Sequence, residues 1–178
     1  AFYVDVTGLQ STIFDPSIVN LFFSDNAADA TIKGVEGDFT YFTNIEGLSV
    51  AGAFSFLDTE ITEKLVPTND VVVGEELAFA PGMQGNVRVR QEWGMTAGNV
   101  GHLQVQFTYS DDSFSDIMEP NKARQASYSY IDLRAGITND DLTAELYVDN
   151  VTDERAEISN TFVFDRQRVA YIRPTTIG

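Results

Sequence analysis

The most concentrated set of potential metal ligands in the chain is a short acidic run. Asp111, Asp112 and Asp116 surround Ser113 and Ser115. Carboxylate and hydroxyl oxygens are the hard ligands that Ca²⁺ prefers, so this segment is a candidate calcium site. The spacing is not that of an EF-hand loop, and the alternative is an acidic loop that is simply solvated.

Residues suited to catalysis are sparse. His102 is the only histidine, and the chain has no cysteine, which excludes thiol chemistry and thiolate metal sites. Glu75 and Glu76 are adjacent carboxylates, but sequence neighbours in a strand or loop point apart and make a poor acid–base pair. The sequence therefore predicts neither an enzyme nor a bound cofactor.

The charge balance restricts the partners further. The 178 residues contain 11 Lys and Arg against 27 Asp and Glu, a formal net charge of −16. Such a chain repels phosphate backbones, so we expect no nucleic-acid partner. The acidic loops could attract cationic substrates or bind divalent cations that bridge lipopolysaccharide, and they could equally be solvated surfaces. A hydrophobic fraction of 43% with 13 Phe and 7 Tyr shows that the chain is not a disordered acidic tail.

Alternation of apolar and polar residues is the clearest local pattern, and it is typical of strands with two different faces. It predicts strands over residues 2–10, 31–42, 48–56, 86–93, 102–109, 128–137 and 142–148. The polar face of two of these strands consists of Arg88, Arg90, Glu92, His102, Gln104 and Gln106. These side chains are costly in a dry sandwich core but normal against a watery lumen, which favours an all-β barrel wall.

The connections between these strands alternate in length. Short ones are expected at 43–47, 94–99 and 138–141, and long ones at 11–30, 58–85, 110–127 and 150–167. An antiparallel up-and-down meander with turns on one rim and loops on the other is the layout of an outer-membrane barrel. Aromatic residues near the strand ends suit its interfacial girdles: Phe2, Tyr3, Phe42, Trp93, Tyr109 and Tyr128. The alternative is a soluble β-rich binding or self-assembling module.

Two C-terminal segments resemble motifs of a known family. Residues 150–155, Asn-Val-Thr-Asp-Glu-Arg, are similar to the N-L-T-D-x-R segment of TonB-dependent outer-membrane receptors. Residues 173–178, Arg-Pro-Thr-Thr-Ile-Gly, are similar to the R-P-R-T-I-G that opens their last barrel strand. The matching residues are Asn150, Thr152, Asp153, Arg155, Arg173, Pro174 and Gly178.

The resemblance implies the rest of the assignment. Residues 1–178 would be one segment, about eight strands from the C-terminal part of a receptor barrel, without the plug domain and the end of the final strand. The implied function is active import, across the bacterial outer membrane, of a scarce nutrient such as a ferric siderophore, energised by the TonB system. The implied partners are the remainder of the barrel and the plug, lipid and lipopolysaccharide, TonB, and a small-molecule substrate that the sequence does not identify.

The motif residues also carry a structural expectation. Arg155 and Arg173 are expected to pair with Asp149 or Asp153 and so to pin the base of the last loop. Pro174 has no N–H and should lie at the entry to the last strand, where no ladder hydrogen bond is needed.

Overall fold

The computed structural model describes residues 1–14, 22–67, 69–163 and 166–178 and consists mainly of β-strands. In chain order the strands are β1 (Phe2–Phe14), β2 (Phe22–Phe42), β3 (Leu48–Lys64), β4 (Met83–Gly94), β5 (Val100–Ser110), β6 (Ser113–Phe114), β7 (Arg124–Gln125), β8 (Tyr128–Thr138), β9 (Thr143–Asp149), β10 (Glu157–Val163), β11 (Arg166–Tyr171) and β12 (Thr176–Ile177). Short 3₁₀ turns occupy Thr96–Gly98 and Glu119–Asn121. No helix within these ranges is long and apolar enough to cross a membrane.

One antiparallel sheet contains eight of the strands, in the order β1-β2-β3-β4-β5-β8-β9-β12. Two separate hairpins, β6–β7 and β10–β11, lie in the long connections. Because each strand of the main sheet pairs with the one before it, the fold is the predicted all-β meander. The short connections 43–47, 95–99 and 139–142 therefore lie on one rim, and the long connections 65–82, 111–127 and 150–175 lie on the other.

The first three strands are longer than the alternation predicted. β1 continues to Phe14 and β3 to Lys64, and β2 begins at Phe22; residues 15–21 of the predicted first loop lie outside the described ranges. Register shifts interrupt the β1–β2 pairing around Leu9 and the β2–β3 pairing after Asp29. An inserted residue exchanges the two faces, so the alternation breaks at each bulge although the strand continues.

The register separates the two faces of β4 and β5 as the alternation predicts. Arg88 is paired with Gln106, Arg90 with Gln104, and Glu92 with His102. These residues share the polar face with their partners on β3 and β8. The opposite, apolar face holds Val87, Val89, Leu103, Val105, Phe107, Leu146 and Val148.

The six aromatic residues assigned to girdles are divided between the faces. Tyr3, Trp93 and Tyr109 lie on the apolar face, as a girdle requires, whereas Phe2, Phe42 and Tyr128 share the side of the polar residues. The assignment was therefore wrong for the second group. Proximity to a strand end does not decide orientation, because neighbours such as Phe2 and Tyr3 must point to opposite sides.

Rings cover glycines directly across the sheet. The pairs are Phe2 with Gly34, Phe54 with Gly37, Phe39 with Gly52, Trp93 with Gly101, His102 with Gly136, and Tyr147 with Gly178. A Cβ atom built on any of these glycines would lie only 2.6 to 2.9 Å from the ring of its partner. Each glycine thus provides the space in which the opposite ring lies flat on the sheet, and the ring in turn covers the exposed glycine backbone.

The main buried hydrophobic cluster lies at the long-loop rim and not along the centre of the sheet. It comprises Ile13, Ala27, Ala28, Ile61, Val66, Val71, Ile117 and Met118. The loop 65–82 reaches β3 through hydrogen bonds between Ile61 and the backbone of Gly74 and Glu75, each 2.8 Å long. The loop 111–127 joins it where Met118 pairs with Val71. The loops therefore form a packed cap on the ends of β1–β3.

The ring–glycine pairs predict that an added methyl group lowers stability at a glycine that a ring covers and not at a glycine in open space. Gly52→Ala places a methyl 2.8 Å from the Phe39 ring and from the Asn86 carbonyl oxygen, so we expect it to lower the unfolding free energy of the barrel by about 1–3 kcal/mol. Gly94→Ala is the matched control, because nothing lies within 4 Å of its Cβ position. Denaturant unfolding in detergent micelles measures both, and equal stability of the two variants would contradict this role of the glycines.

Candidate functional site: the polar face and the loops above it

The centre of the polar face is an ion network that crosses three strands. Glu145 on β9 binds His102 Nε2 at 2.9 Å and Arg134 Nη1 at 3.0 Å. His102 lies on β5, two strands away, and only 3% of it is exposed. The side chains of His102 and Glu145 together bridge two strand spacings, roughly 10 Å, because Gly136, between the two in the same row, has no side chain to block the contact.

Arg134 extends this network towards the C-terminal motif. Its Nη2 donates to Asp149 at 3.5 Å, and its guanidinium lies 5.5 Å from the ring centroid of Tyr147. The Tyr147 ring lies over Gly178, where a Cβ would approach its hydroxyl to 2.5 Å. The last residue of the motif therefore makes room for the ring that packs on Arg134.

The other polar residues of β4 and β5 have different surroundings. Arg90 donates to Glu92 at 2.8 Å and to Gln104 at 3.4 Å. Arg88 and Gln106 make no ion pair or side-chain hydrogen bond within the described part of the chain, and Arg88 is exposed. Arg88 is thus a cation on the polar face that is available to a group outside this chain.

Asn150 organises the family motif. It is 4% exposed, and its φ of 52° lies in the left-handed region that asparagine tolerates. Its Nδ2 donates to the carbonyl oxygens of Glu154 at 3.0 Å and Arg173 at 2.8 Å, and its Oδ1 accepts from the Glu154 N–H at 2.9 Å. Its own carbonyl oxygen accepts from Thr175 Oγ1 at 2.8 Å. One side chain therefore ties together both ends of the last long loop.

Asp153 and Arg155 form the expected ion pair at the base of that loop, 3.0 Å apart. The Arg155 hydrogen bond lowers the pKa of the Asp153 carboxyl, and Asp153 also accepts from the Thr175 N–H at 3.2 Å. The pairing expected for Arg173 is wrong, because its side chain has no ion pair within the described residues and only its carbonyl is used. Asp149 instead faces Arg134, because it ends β9 on the polar face.

The calcium expectation is not supported, because no three acidic or histidine side chains converge on one point in the described ranges. Asp112 pairs with Arg124 at 2.7 Å, and this hydrogen bond lowers the pKa of the Asp112 carboxyl. Asp116 accepts the Met118 N–H at 3.0 Å, and Asp111 Oδ1 accepts the Asp112 N–H at 3.0 Å. The three carboxylates thus serve three separate local contacts.

Lys122 fastens the two central loops to each other. Its Nζ donates to Glu75 at 2.7 Å and to Glu119 at 3.0 Å, and it lies 4.5 Å from the ring centroid of Phe114. Burial lowers the pKa of this amine, but the two carboxylates outweigh burial and the net pKa is raised. Glu75 is therefore one half of an ion pair between the loops 65–82 and 111–127.

Two adjoining hollows lie on this side of the sheet. The groove, of about 400 Å³, follows the polar face past Asp38, Ser55 and Asn86. The loop pocket, of about 190 Å³, lies above it and is enclosed by Phe79, Gln125 and Glu157 from three different long connections. Both hollows share Gln84, Ser110 and Tyr128, so they are continuous.

Two buried side-chain atoms lack a hydrogen-bond partner within the described ranges, Ser55 Oγ and Gln125 Nε2. Ser55 is among the residues that line the groove and Gln125 among those that line the loop pocket, but the two atoms themselves have almost no exposed surface. Buried polar atoms are nearly always paired, so these two are exceptions among the described residues. Neither residue is predicted from the sequence, because a single serine in a strand or glutamine in a loop carries no local pattern.

A meander with one apolar face, one polar face, turns on one rim and packed loops on the other defines a segment of β-barrel wall. The profile of the family described as TonB dependent receptor-like, beta-barrel matches residues 1–151. The chain belongs to this receptor family, as its C-terminal motifs indicated.

Solved structures show the same fold. The ferric preacinetobactin receptor BauA from Acinetobacter baumannii superposes with a TM-score of 0.69 at 16% identity, over 98% of this chain and 25% of that one. The siderophore receptor PiuA from Acinetobacter baumannii gives 0.69 at 14% identity, over 98% and 24%. The chain therefore spans about a quarter of these receptors. No curated protein sequence matches it significantly.

Asn150 provides a test of the motif. Asn150→Ala removes several hydrogen bonds worth about 1 kcal/mol each, so we expect faster amide hydrogen exchange in residues 151–156 and 172–176 with the strands still paired. Thr152→Ala is the control, because it loses only one long hydrogen bond of 3.3 Å to Asn150. Faster exchange throughout β5 in the Asn150 variant would show instead that the motif holds the whole sheet.

Proposed function

We propose that this chain is part of the wall of an outer-membrane receptor that imports a scarce small-molecule nutrient. The observation that carries the proposal is the contrast between the faces. Large apolar side chains such as Val105 and Leu146 are 39% and 74% exposed on one side, whereas the other side holds a hydrogen-bonded ion network. Exposed apolar side chains facing lipid and charged ones facing a wet lumen are the arrangement of a transmembrane barrel.

The apolar band has the height that an outer membrane requires. On β4 it extends from Met83 to Trp93, eleven residues and therefore ten steps along the strand, which is roughly 33 Å. At a barrel tilt of about 40° this corresponds to about 25 Å along the membrane normal. On β2 and β3 the band ends towards the long loops at the ion pair of Lys33 and Asp58, 3.8 Å apart.

The two outer edges of the sheet indicate where the rest of the barrel binds. β1 and β12 each pair on one side only. An unpaired backbone group in lipid costs several kcal/mol, so the rest of the barrel must provide the missing neighbours. The polar face then lines the lumen and meets the plug, and exposed Arg88 is one group that it offers there.

The long loops face outward in this orientation and meet both lipopolysaccharide and the substrate. The plug gates the lumen, and energy reaches it from the inner membrane through TonB. Both fold neighbours are receptors for siderophores, which supports a ferric siderophore as the class of nutrient.

Membrane placement predicts a residue-by-residue pattern of accessibility. Spin labels at positions 103, 105 and 107 of the receptor should be relaxed by lipid-soluble oxygen, because these side chains share the apolar face. Labels at 104 and 106 are the matched controls and should respond to a water-soluble relaxant instead. The reverse pattern, or no alternation, would exclude this orientation of the wall.

Import predicts a dependence on energy. Cells that express the receptor should accumulate a radiolabelled ferric siderophore, and a protonophore that dissipates the inner-membrane gradient should abolish accumulation while leaving surface binding intact. A receptor-deleted strain is the control. Accumulation that the protonophore leaves unchanged would exclude TonB-coupled transport.

A further inference from the structure

The polar face is divided into a part whose charges are paired and a part whose charges are not. On β8 and β9, Arg134 and Glu145 pair with each other, and Glu145 also binds His102 on β5. Glu36 and Asp38 on β2 are exposed and make no ion pair or side-chain hydrogen bond within the described residues. Together with Arg88 on β4, they are charges of both signs that the described chain leaves unmatched.

The register places these unmatched charges close together. Asp38 is paired with Ala53, which is paired with Asn86, so the three share one row of the sheet. Ala51 and Arg88 follow in the next row towards the short turns. The Cα atoms of Asp38 and Arg88 are therefore roughly 12 Å apart, two strand spacings across the sheet and two residues along it. The alanine side chains between them are too short to separate the carboxylate from the guanidinium.

The groove beside these charges is open space within the described part of the chain. Its volume of about 400 Å³ equals the share of about thirteen liquid water molecules. Glu36 and Asp38 line one side of it, and exposed Ala53 lies on its floor. If another chain segment fills the groove, it removes water from both carboxylates. A desolvated charge is strongly unfavourable unless an opposite charge meets it, so the segment must supply one.

The arrangement of the charges specifies that segment. A purely acidic segment is repelled by Glu36 and Asp38, and a purely basic one is repelled by Arg88. A segment that suits all three side chains carries a basic and an acidic residue, which in an extended chain are separated by about four positions. The chain spans about a quarter of the receptors BauA and PiuA, so a receptor of their length has a large remainder that can supply the segment.

We propose that Glu36, Asp38 and Arg88 form a docking site for one segment of the plug, which meets the two carboxylates with a Lys or Arg side chain and Arg88 with an Asp or Glu side chain. This inference rests on the proposed import function and adds to it the place and the chemistry of the contact between wall and plug. The paired network on β5, β8 and β9 has its own internal partners, so the charged contact is concentrated on β2 and β4.

Photo-crosslinking in the full-length receptor tests the site. The photoreactive residue p-benzoylphenylalanine replaces Ala53 in the groove, or Ala135 as the matched control, which is an exposed alanine on the apolar face. The receptor is irradiated in outer membranes and its crosslinked peptides are identified by mass spectrometry. Position 53 should be joined to a plug peptide that contains a basic and an acidic residue within about four positions of each other. Position 135 should be joined to no plug peptide.

Charge reversal shows whether the three side chains hold that segment. Glu36→Lys, Asp38→Lys and Arg88→Glu should each lower the crosslinking yield from position 53 about fivefold, the size of one lost ion pair. Glu60→Lys is the matched control, because it makes the same change of charge on the opposite face of the β2–β3 pair, and it should leave the yield unchanged. Heat-modified mobility on detergent gels shows which variants fold, and Asp38→Asn and Arg88→Gln replace reversals that do not.

Several results would overturn the proposal. These are the absence of a crosslink from position 53 to the plug, a crosslinked plug segment that lacks either charge, and equal yields in the wild type and all three reversals. A crosslink from position 53 to lipopolysaccharide or to another protein instead of the plug has the same consequence. Oxygen accessibility of labels at 103 and 104 in the same membranes separates the two proposals, because correct membrane placement without the crosslink refutes only the docking site.

Discussion

Every strand of this protein has backbone N–H and C=O groups on both edges, and each group must find a partner. The chain meets this requirement by pairing each strand of the main sheet with the strand before it. Sequential antiparallel pairing puts all described turns on one rim and all described long loops on the other. Directly paired residues also point to the same side of the sheet, so the apolar and polar faces extend across it. The two outer edges, on β1 and β12, are the places where the same requirement calls for a partner outside the chain.

Glycines allow large side chains to lie across this regular sheet. A residue without a side chain lets the opposite ring lie across the strand, and on the polar face this permits contacts between strands that are not neighbours. Over Gly136, the buried His102 reaches Glu145 two strands away, and beside Gly178 the ring of Tyr147 packs near Arg134. The network thereby links β5, β8 and β9 to the C-terminal motif. Such cross-strand contacts hold polar side chains in fixed positions where a flexible surface would leave them free.

The long loops are ordered by the same kinds of interaction. Lys122 joins two loops through Glu75 and Glu119, and a hydrophobic cluster packs beneath them. Rigid loops can enclose a pocket of defined shape, which mobile loops cannot. Ser55 and Gln125, each with a buried polar atom that lacks a partner among the described residues, line the two continuous hollows. The satisfied polar groups hold the wall and the loops together.

The sequence by itself determined the fold class, the two faces of the central strands and the receptor family, because these depend on alternation and on short motifs read within one segment. Strand length in β1–β3 was decided by bulges, at which alternation fails although pairing continues. The partners of His102 and Arg134 and the pocket around Gln125 were decided only by tertiary structure. Each joins residues far apart in the chain, and register and loop packing alone bring them together.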